Sequence, residues 1–547
     1  MVRFNVAQFT GLPGYEAGYY NETMQEKTKR PVRFFNTTGP CNPWDHYMLP
    51  SADRLVGAQL HRYIRDNLYW VLHAPRQTGK TTFLQSWMRE INAGDEALAC
   101  YVSLERCQGI ADPTRAMPEI CESIYKHAKE YGLPVPRTTT QNPGSMLNDT
   151  LVHWAEVSAP KLLIVLFDET DVLTGDSLIS FLRQLRDGFA GRGVGKFPVS
   201  IALAGIRDLK DYITAAKEGV PVNPGSPFNI KSDSAVIGNF SQDDAKHLFA
   251  QRTKETGQEI TGEALEYVWD QSRGQPWIVN SLFMRATMRI LNEDNYETVN
   301  LRHIQEAREQ MVLARETHLE SLAYRLEDPR IRKVIETIMA GGSDPSLADS
   351  EGFLLCEDLG LVSRERGTLV VANPIYREAL ARQMTCGTQA AVPEPEWRWE
   401  KLDGALDMER LMKEFQQFWR ENSEVWERKS NYTEAFPHLL LQAFLQRVLN
   451  GGGQIEREYA AGRGRMDLCV EYKGKRYIIE IKLIYEYSDP ARVQEQGLEQ
   501  IKRYRDKIGG DAGAYLVIFD RRGKAKQLPW SERLSWIETE GITIIGG

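Results

Sequence analysis

Three short runs in this chain of 547 residues bring together residue types that handle phosphate or metal. Gly79-Lys80-Thr81 follows the apolar run Tyr69 to His73 and opens an amphipathic stretch reaching Ile91. A polyphosphate needs backbone N–H groups converging at a helix N-terminus, a long cation and a hydroxyl for a divalent ion. Glycine, lysine and threonine in that order meet these needs. Asp168-Glu169 closes the apolar run Leu162 to Phe167, which places two carboxylates at the end of a buried strand. Asp467 and Glu480-Ile481-Lys482 lie on two strand-like runs joined by a turn at Lys473-Gly474. Alternate side chains of a strand share a face, so Glu480 and Lys482 point one way and Ile481 the other. Two acids and a lysine so gathered can hold a divalent cation beside a positive charge.

The elements that must carry these groups follow from the hydrophobic pattern. Between residues 51 and 240, strand-type runs at Tyr69 to His73, Ala99 to Ser103, Leu162 to Phe167 and Val199 to Leu203 alternate with helical patterns. The helical patterns run over Thr81 to Ile91, Ala116 to Tyr131 and Ser177 to Ala190. This alternation predicts an α/β domain built on a parallel sheet. Residues 1–50, rich in Gly and Pro turns, read as an irregular arm. Residues 241–320 read as consecutive helices, with Ser241 as a cap and Asp244 three residues on. In 321–385 helices give way to two short strands around a charged turn at Gly367, and 386–397 has the composition of a linker. Residues 398–547 predict a second α/β domain: helices over Leu411 to Trp426 and Glu434 to Leu449, four strands, and a helix near Val493 to Ile508. Leu411, Phe415, Phe418 and Trp419 form one apolar stripe, assigned to an interdomain or subunit contact.

The strand, turn and helix around Gly79-Lys80-Thr81 resemble a P-loop, or Walker A motif, with Ala74 where the general pattern has its first glycine. The resemblance implies an ATP site cradled by Gln77, Thr78, Gly79, Lys80, Thr81 and Thr82, with Thr81 on Mg²⁺. KLLIVLFDETD resembles Walker B, which implies that Asp168 holds the metal and Glu169 polarises the attacking water. The plainer alternative is that these acids cap a helix starting near Asp176. Arg207 stands where AAA and STAND ATPases carry a phosphate sensor, unless it pairs with Asp208 or Asp211. Gly274-Gln275-Pro276 is similar to the GxP-type motif that joins the helical lid to the nucleotide, implying a contact from Pro276. The lead-in FNTTGPCNPWDHYMLP similarly offers Pro43 and Tyr47 to an adenine. With the winged-helix-like ANPIYREAL, the resemblance to AAA/STAND-like P-loop ATPases runs over residues 34–382.

GRGRMDLCVEYKGKRYIIEIK resembles the core of PD-(D/E)XK nucleases. The resemblance implies Mg²⁺, or Mn²⁺, on Asp467 and Glu480, with Lys482 orienting or deprotonating water and stabilising charge on the scissile phosphate. It implies a further metal carboxylate at Glu434, with Glu458 as an alternative acid, and an accessory QxxxY element at Gln500 and Tyr504. The alternative for Glu480 and Lys482 is a solvated pair on an exposed hairpin. Together the resemblances imply an ATPase whose nucleotide state or assembly gates a nuclease acting on nucleic acid, DNA in preference to RNA, in a homo-oligomer. The family resemblance also fits a setting in antiviral defence. The rival reading is a sensor or assembly ATPase whose C-terminal domain binds nucleic acid or a partner without cutting.

A formal charge of -8 argues against a chain that coats nucleic acid by overall basicity, so a polyanion must be met by local patches. Such a patch is expected around Arg457, Arg463, Arg465, Lys473, Lys475, Arg476, Lys502, Arg503, Arg505, Arg521, Arg522, Lys524 and Lys526, interleaved with tyrosines. Seven scattered cysteines without a CxxC pair fit a reducing compartment. No HExxH or GxSxG motif occurs, and no apolar run approaches the ~20 residues that cross a bilayer. With no basic segment leading into an apolar one at the start, the expectation is a cytoplasmic protein without a membrane partner.

Overall fold

The computed structural model describes residues 32–547 apart from 57–59, 207–230, 315–316, 340–349, 366–367, 392–400, 402–404, 430–439, 443, 446–452, 462–463, 485–487, 509–512, 523–524 and 526. The chain divides into two compact units, Met1–Leu313 with Glu357–Gly360, and Ala314–Cys356 with Leu361–Gly547. Among the described residues no helix is long and apolar enough to cross a membrane.

The first unit is an α/β core on a six-stranded sheet: β1 (Leu55–Val56), β2 (Tyr69–His73), β3 (Ala97–Ser103), β4 (Leu162–Asp168), β5 (Ser200–Gly205) and β6 (Lys231–Ile237). The spatial order is β1-β6-β2-β5-β4-β3, all parallel except β1, which pairs antiparallel to β6 at the edge. Strands covered on both faces are predominantly apolar, as the central strands β2, β5 and β4 are. On one face Trp70, Leu72 and Ala74 pack against Phe83, Leu84 and Trp87 of the helix Lys80–Asn92. On the other, Tyr69, Val71, Val102 and Phe167 meet the helices Pro113–Glu130, Met146–Ser158 and Gly175–Phe189. Parallel strands end on the same edge, which brings the turn after β2, the end of β3 and the end of β4 together. β6 was not expected: KSDSAVI is too polar in its first half to read as a strand, and parallel pairing to β2 forms it.

Helices Gln242–Thr256, Gly262–Ser272, Pro276–Met284 and Leu301–Leu313 follow the sheet. Ser241 caps the first as expected: its hydroxyl accepts from the Asp244 amide (3.0 Å), and the Asp244 carboxylate accepts from the Ser241 amide (2.7 Å). The described part of the lead-in is a working part of this core. Phe35 is fully buried, with the rings of Tyr47, Phe249 and Phe283 centred 4.9, 5.7 and 5.0 Å away. Gly274 admits no side chain: φ is +75°, and a Cβ would lie 2.0 Å from the Phe240 carbonyl oxygen.

The second unit holds the helices Thr317–Arg325, Pro329–Met339 and Pro374–Ala391, with an antiparallel hairpin of β7 (Val362–Glu365) and β8 (Thr368–Val371). Beyond these lies a separate sheet of β9 (Gly453–Ala461), β10 (Gly464–Tyr472), β11 (Lys475–Ile484), β12 (Gly513–Asp520), β13 (Ser535–Thr539) and β14 (Ile542–Gly546). Its order is β13-β14-β12-β11-β10-β9, with β11, β12 and β14 parallel. The turn between β10 and β11 has positive φ at both Lys473 (47°) and Gly474 (79°), the two-residue geometry that matches strand twist.

The aromatic stripe at 411–419 does not serve a contact between domains or subunits. Leu411, Phe415, Phe418 and Trp419, on the helix Met408–Lys429, lie in the core of this same sheet. Trp419 and Phe415 stand 4.6 and 6.2 Å from the Phe519 ring, and Gln416 Nε2 donates to the carbonyls of Ser535 and Gly546. An amphipathic stripe announces that a face is buried without saying against what.

Candidate functional site

The first candidate site lies where β2, β3 and β4 end. The loop after β2 is held by its own side chains: Thr78 Oγ1 donates to the Pro75 carbonyl (2.8 Å), and Lys80 Nζ to the carbonyls of Ala74 (2.6 Å) and Pro75 (2.8 Å). Gly79, with φ 96°, precedes the helix at Lys80, and Gln77 also takes a positive φ of 59°. Burial lowers the Lys80 ammonium to about 8, against the opposing pull of Asp168 and Asp171.

Thr81 Oγ1 donates to Asp168 Oδ2 at 2.6 Å, Tyr101 Oη donates to the same oxygen at 3.2 Å, and the Glu169 amide donates to Oδ1 at 2.9 Å. Glu169 sits in the left-handed region (φ 59°), a conformation costly for a residue with a side chain. Ser103 Oγ, at the end of β3, donates to Glu169 Oε2 at 3.1 Å. Burial, and then the charge of Asp168, raise the Glu169 carboxyl above its ordinary range. Neither acid caps the helix Gly175–Phe189, whose N-cap position is Thr174.

A cavity of about 610 Å³ opens over this loop. Gln77, Thr78, Gly79, Lys80, Thr81, Thr82, Glu169 and Pro276 line it, as does Tyr47, whereas Pro43 does not and Pro40 does. Thr82 turns its hydroxyl to the lead-in, accepting from the Cys41 amide at 3.0 Å. Gln275 caps the helix at Pro276, accepting from the Ile278 amide (2.7 Å), and its Nε2 donates to the Gln77 carbonyl (3.4 Å). Arg207 lies outside the described residues.

Sequence reasoning missed Arg54. Its Nη1 donates to the carbonyls of Thr78 and Gly238, both at 3.0 Å, and its guanidinium stands 4.9 Å from the Phe240 ring centre. Burial brings it down to about 10. A lone arginine in a turn-rich segment has no periodicity or motif to mark it. Ser103 and Tyr101 were also missed, although both fall at the end of an expected strand beside Asp168.

The second candidate site is on β10 and β11. Leu468 pairs with Ile479, so Asp467 and Glu480 come next along adjacent strands. Ile479, Ile481, Val517 and Phe519 face the core shared with the helix Met408–Lys429, while Ile484, Leu516 and Ile518 face the helix Pro490–Ile508 with its Ile501. By the two-residue period Glu480 and Lys482 belong to the latter face. Asp467 Oδ2 accepts from the Ile481 amide at 2.7 Å, and Lys482 Nζ donates to Glu480 Oε1 at 2.8 Å. Glu480 is 1% exposed, and its Oε2 has no partner among the described residues. A solvated pair is therefore excluded. Burial, then Asp467, push the Glu480 carboxyl up to about 7. Burial, and then the charges of Glu480 and Asp467, raise the hydroxyl of Tyr504, on the helix Pro490–Ile508, to about 12. Gln500 is half-buried one turn earlier on the same helix.

Glu434 and the side chain of Glu458 lie outside the described residues. Among the described residues no three His, Cys, Asp or Glu gather as a metal cage, so Asp467 and Glu480 stand as a pair. The basic cluster is partly neutralised. Arg522 pairs with Asp520 (2.6 Å), Arg476 with Glu471 (3.2 Å) and Lys502 with Glu540, because strand ends and turns put acids beside them.

Residues 432–511 match the PD-(D/E)XK nuclease superfamily. Among curated proteins none matches the chain. Solved structures similar to it include a Walker-type ATPase of Pyrococcus abyssi, PABY2304, at 14% identity and a TM-score of 0.44 over 63% of this chain and 99% of that one. The Thermotoga maritima RuvB Holliday junction branch migration motor aligns at 14% identity and a TM-score of 0.31, covering 57% of this chain and 88% of its own. Cdc6p of Pyrobaculum aerophilum aligns at 13% and 0.33, over 59% and 90%. The nuclease-superfamily match thus falls on the segment of the second unit that carries Asp467, Glu480 and Lys482.

Proposed function

We propose that the protein binds and hydrolyses ATP in its first unit and cleaves nucleic acid, DNA in preference to RNA, in its second, with nucleotide state or assembly gating the cut. The observation that carries the proposal is the Asp467, Glu480 and Lys482 constellation: two carboxylates on neighbouring strands, one buried with an oxygen lacking a donor among the described residues, beside a lysine. A buried carboxylate oxygen without a partner is costly unless a proton or a cation meets it. Asp467 and Glu480 therefore fit a divalent ion, Mg²⁺ or Mn²⁺, which when bound supplies charge neutralisation at phosphate and a lowered pKa for water. Lys482, held by Glu480, is placed to stabilise charge developing on the phosphate. Gln500 and Tyr504 border the same face and would orient substrate or water, and Glu434 is retained as a third carboxylate.

In the first unit, the backbone of Gln77 to Lys80 would cradle the phosphates, with Thr81 and Asp168 as the groups for Mg²⁺ and Pro276 closing the cavity. Glu169 would take a proton from water, and its bond to Ser103 holds it back until that contact is released. Arg207 would neutralise charge at the transferred phosphate.

The test is incubation of the full chain with labelled linear, circular and single-stranded DNA and with RNA, with and without ATP and Mg²⁺ or Mn²⁺. Metal-dependent cleavage that Asp467→Ala lowers by about 10²–10³-fold is expected, with ATPase activity unchanged. No cleavage with either metal, with ATPase retained, would leave the second unit a binding module. Cleavage equally fast in Lys80→Ala and without ATP would overturn the gating.

A further inference from the structure

We infer that Asn280 is the base-selecting residue of the nucleotide cavity, accepting the exocyclic amino group of adenine on its side-chain oxygen; this rests on the nucleotide reading above. Asn280 lies on the lid helix Pro276–Met284 and lines the same cavity as Gly79, Lys80 and Thr81. Its Nδ2 donates to the Pro276 carbonyl at 2.8 Å. A carbonyl can only accept, so this bond fixes which way the amide points and leaves Oδ1 as the group on offer. Asn280 is 7% exposed, and Oδ1 finds no donor among the described residues. A buried amide oxygen without a donor is an uncommon and unfavourable state, which a ligand N–H relieves.

The walls say what kind of ligand group comes here. Charged groups on the cavity wall, Arg54, Lys80 and Glu169 among them, come from the sheet side. The lead-in and the lid contribute uncharged groups, with Tyr47, Met48, Leu248 and Trp277 providing flat or apolar surface. Trp277 Nε1 donates to the Thr37 carbonyl at 3.0 Å, which ties these two segments into one wall. A phosphate chain belongs on the sheet side and a heteroaromatic base on the other. Adenine carries an amino donor at the position where guanine and hypoxanthine carry a carbonyl acceptor. A single fixed acceptor bonds the first and opposes the other two, oxygen against oxygen.

The experiment measures binding of ATP, inosine triphosphate, N6,N6-dimethyl-ATP and inorganic tripolyphosphate to the full chain by competition against a fluorescent ATP analogue. ATP is expected to bind about 10–100-fold tighter than inosine triphosphate or the dimethyl compound. Asn280→Leu, which keeps the bulk and removes the acceptor, is expected to bring ATP down to the inosine level and leave tripolyphosphate binding unchanged. The wild-type comparison needs no variant. Equal affinity for ATP and inosine triphosphate, both lost in Lys80→Ala, would overturn base selection alone, as would discrimination that survives Asn280→Leu. Absence of binding by every triphosphate and by tripolyphosphate would overturn the nucleotide reading and this one with it.

Discussion

Asp168 and Glu480 are both carboxylates only 1% exposed, yet their oxygens meet different surroundings. Asp168 receives two hydroxyls, from Thr81 and Tyr101, on one oxygen and a backbone amide on the other. Glu480 receives Lys482 on one oxygen, and the second is unpartnered among the described residues. Hydrogen bonds to a carboxylate replace its lost hydration, and Asp168 has three of them from the protein itself. Glu480, beside Asp467, lacks that compensation and is pushed up to about 7. A cation at the first centre must break the hydrogen bond from Thr81 to Asp168, whereas at the second it relieves an existing deficit. Metal binding in the first unit should therefore depend on the phosphates that arrive with it, and in the second should not.

The largest effect that sharpens this contrast is expected at Glu169. Glu169→Gln keeps the shape and the Ser103 contact but removes the base, and phosphate release is expected to fall by about 10²-fold or more with nucleotide affinity retained. An unchanged turnover rate would mean that Glu169 is a strained strand end with no part in chemistry.

Next in size is a pH effect confined to the second unit. The Glu480 carboxyl is raised from 4.5 to about 7, so the folded chain holds a proton that the unfolded chain has released. The proton's contribution to stability is full below about pH 4.5 and is lost as pH rises through about 7, on the order of 3 kcal/mol. In EDTA, Glu480→Gln should therefore unfold at about the same temperature as wild type at pH 5 and at a higher one at pH 8, by scanning calorimetry. Saturating Mn²⁺ should restore the wild type at pH 8. A mutant destabilised equally at both pH values would show that the unpartnered oxygen is satisfied in some other way.

The smallest effect concerns Arg54. Arg54→Ala removes the donor to Thr78 and Gly238 and should cost about 1–3 kcal/mol of stability, with nucleotide KM rising more than kcat falls. A kcat loss at constant KM would instead make Arg54 part of the chemistry.

What the amino acids disclosed and what they hid divide along physical lines. Gly79-Lys80-Thr81 and Asp168-Glu169 were legible because strands buried on both faces are continuous apolar runs, so the polar residues that end them stand out. Glu480 and Lys482 were legible because a two-residue period fixes their common face. The expected phosphate-tracking patch was legible only as a count of cations, and Asp520, Glu471 and Glu540 neutralise part of it through contacts that charge alone does not predict. Arg54, Ser103 and Tyr101 act through partners far away in the chain, and no local pattern names such partners. The stripe at Leu411 to Trp419 was correctly buried and wrongly partnered for the same reason.

The most direct measurement is calorimetric titration of the full chain with Mn²⁺, with and without a non-hydrolysable ATP analogue. Nucleotide-independent binding that Glu480→Gln abolishes is expected, with a further binding event that appears only with the analogue and is lost in Thr81→Ala. Mn²⁺ binding that ignores Glu480→Gln, or that is full at the Thr81 centre without nucleotide, would contradict that expectation.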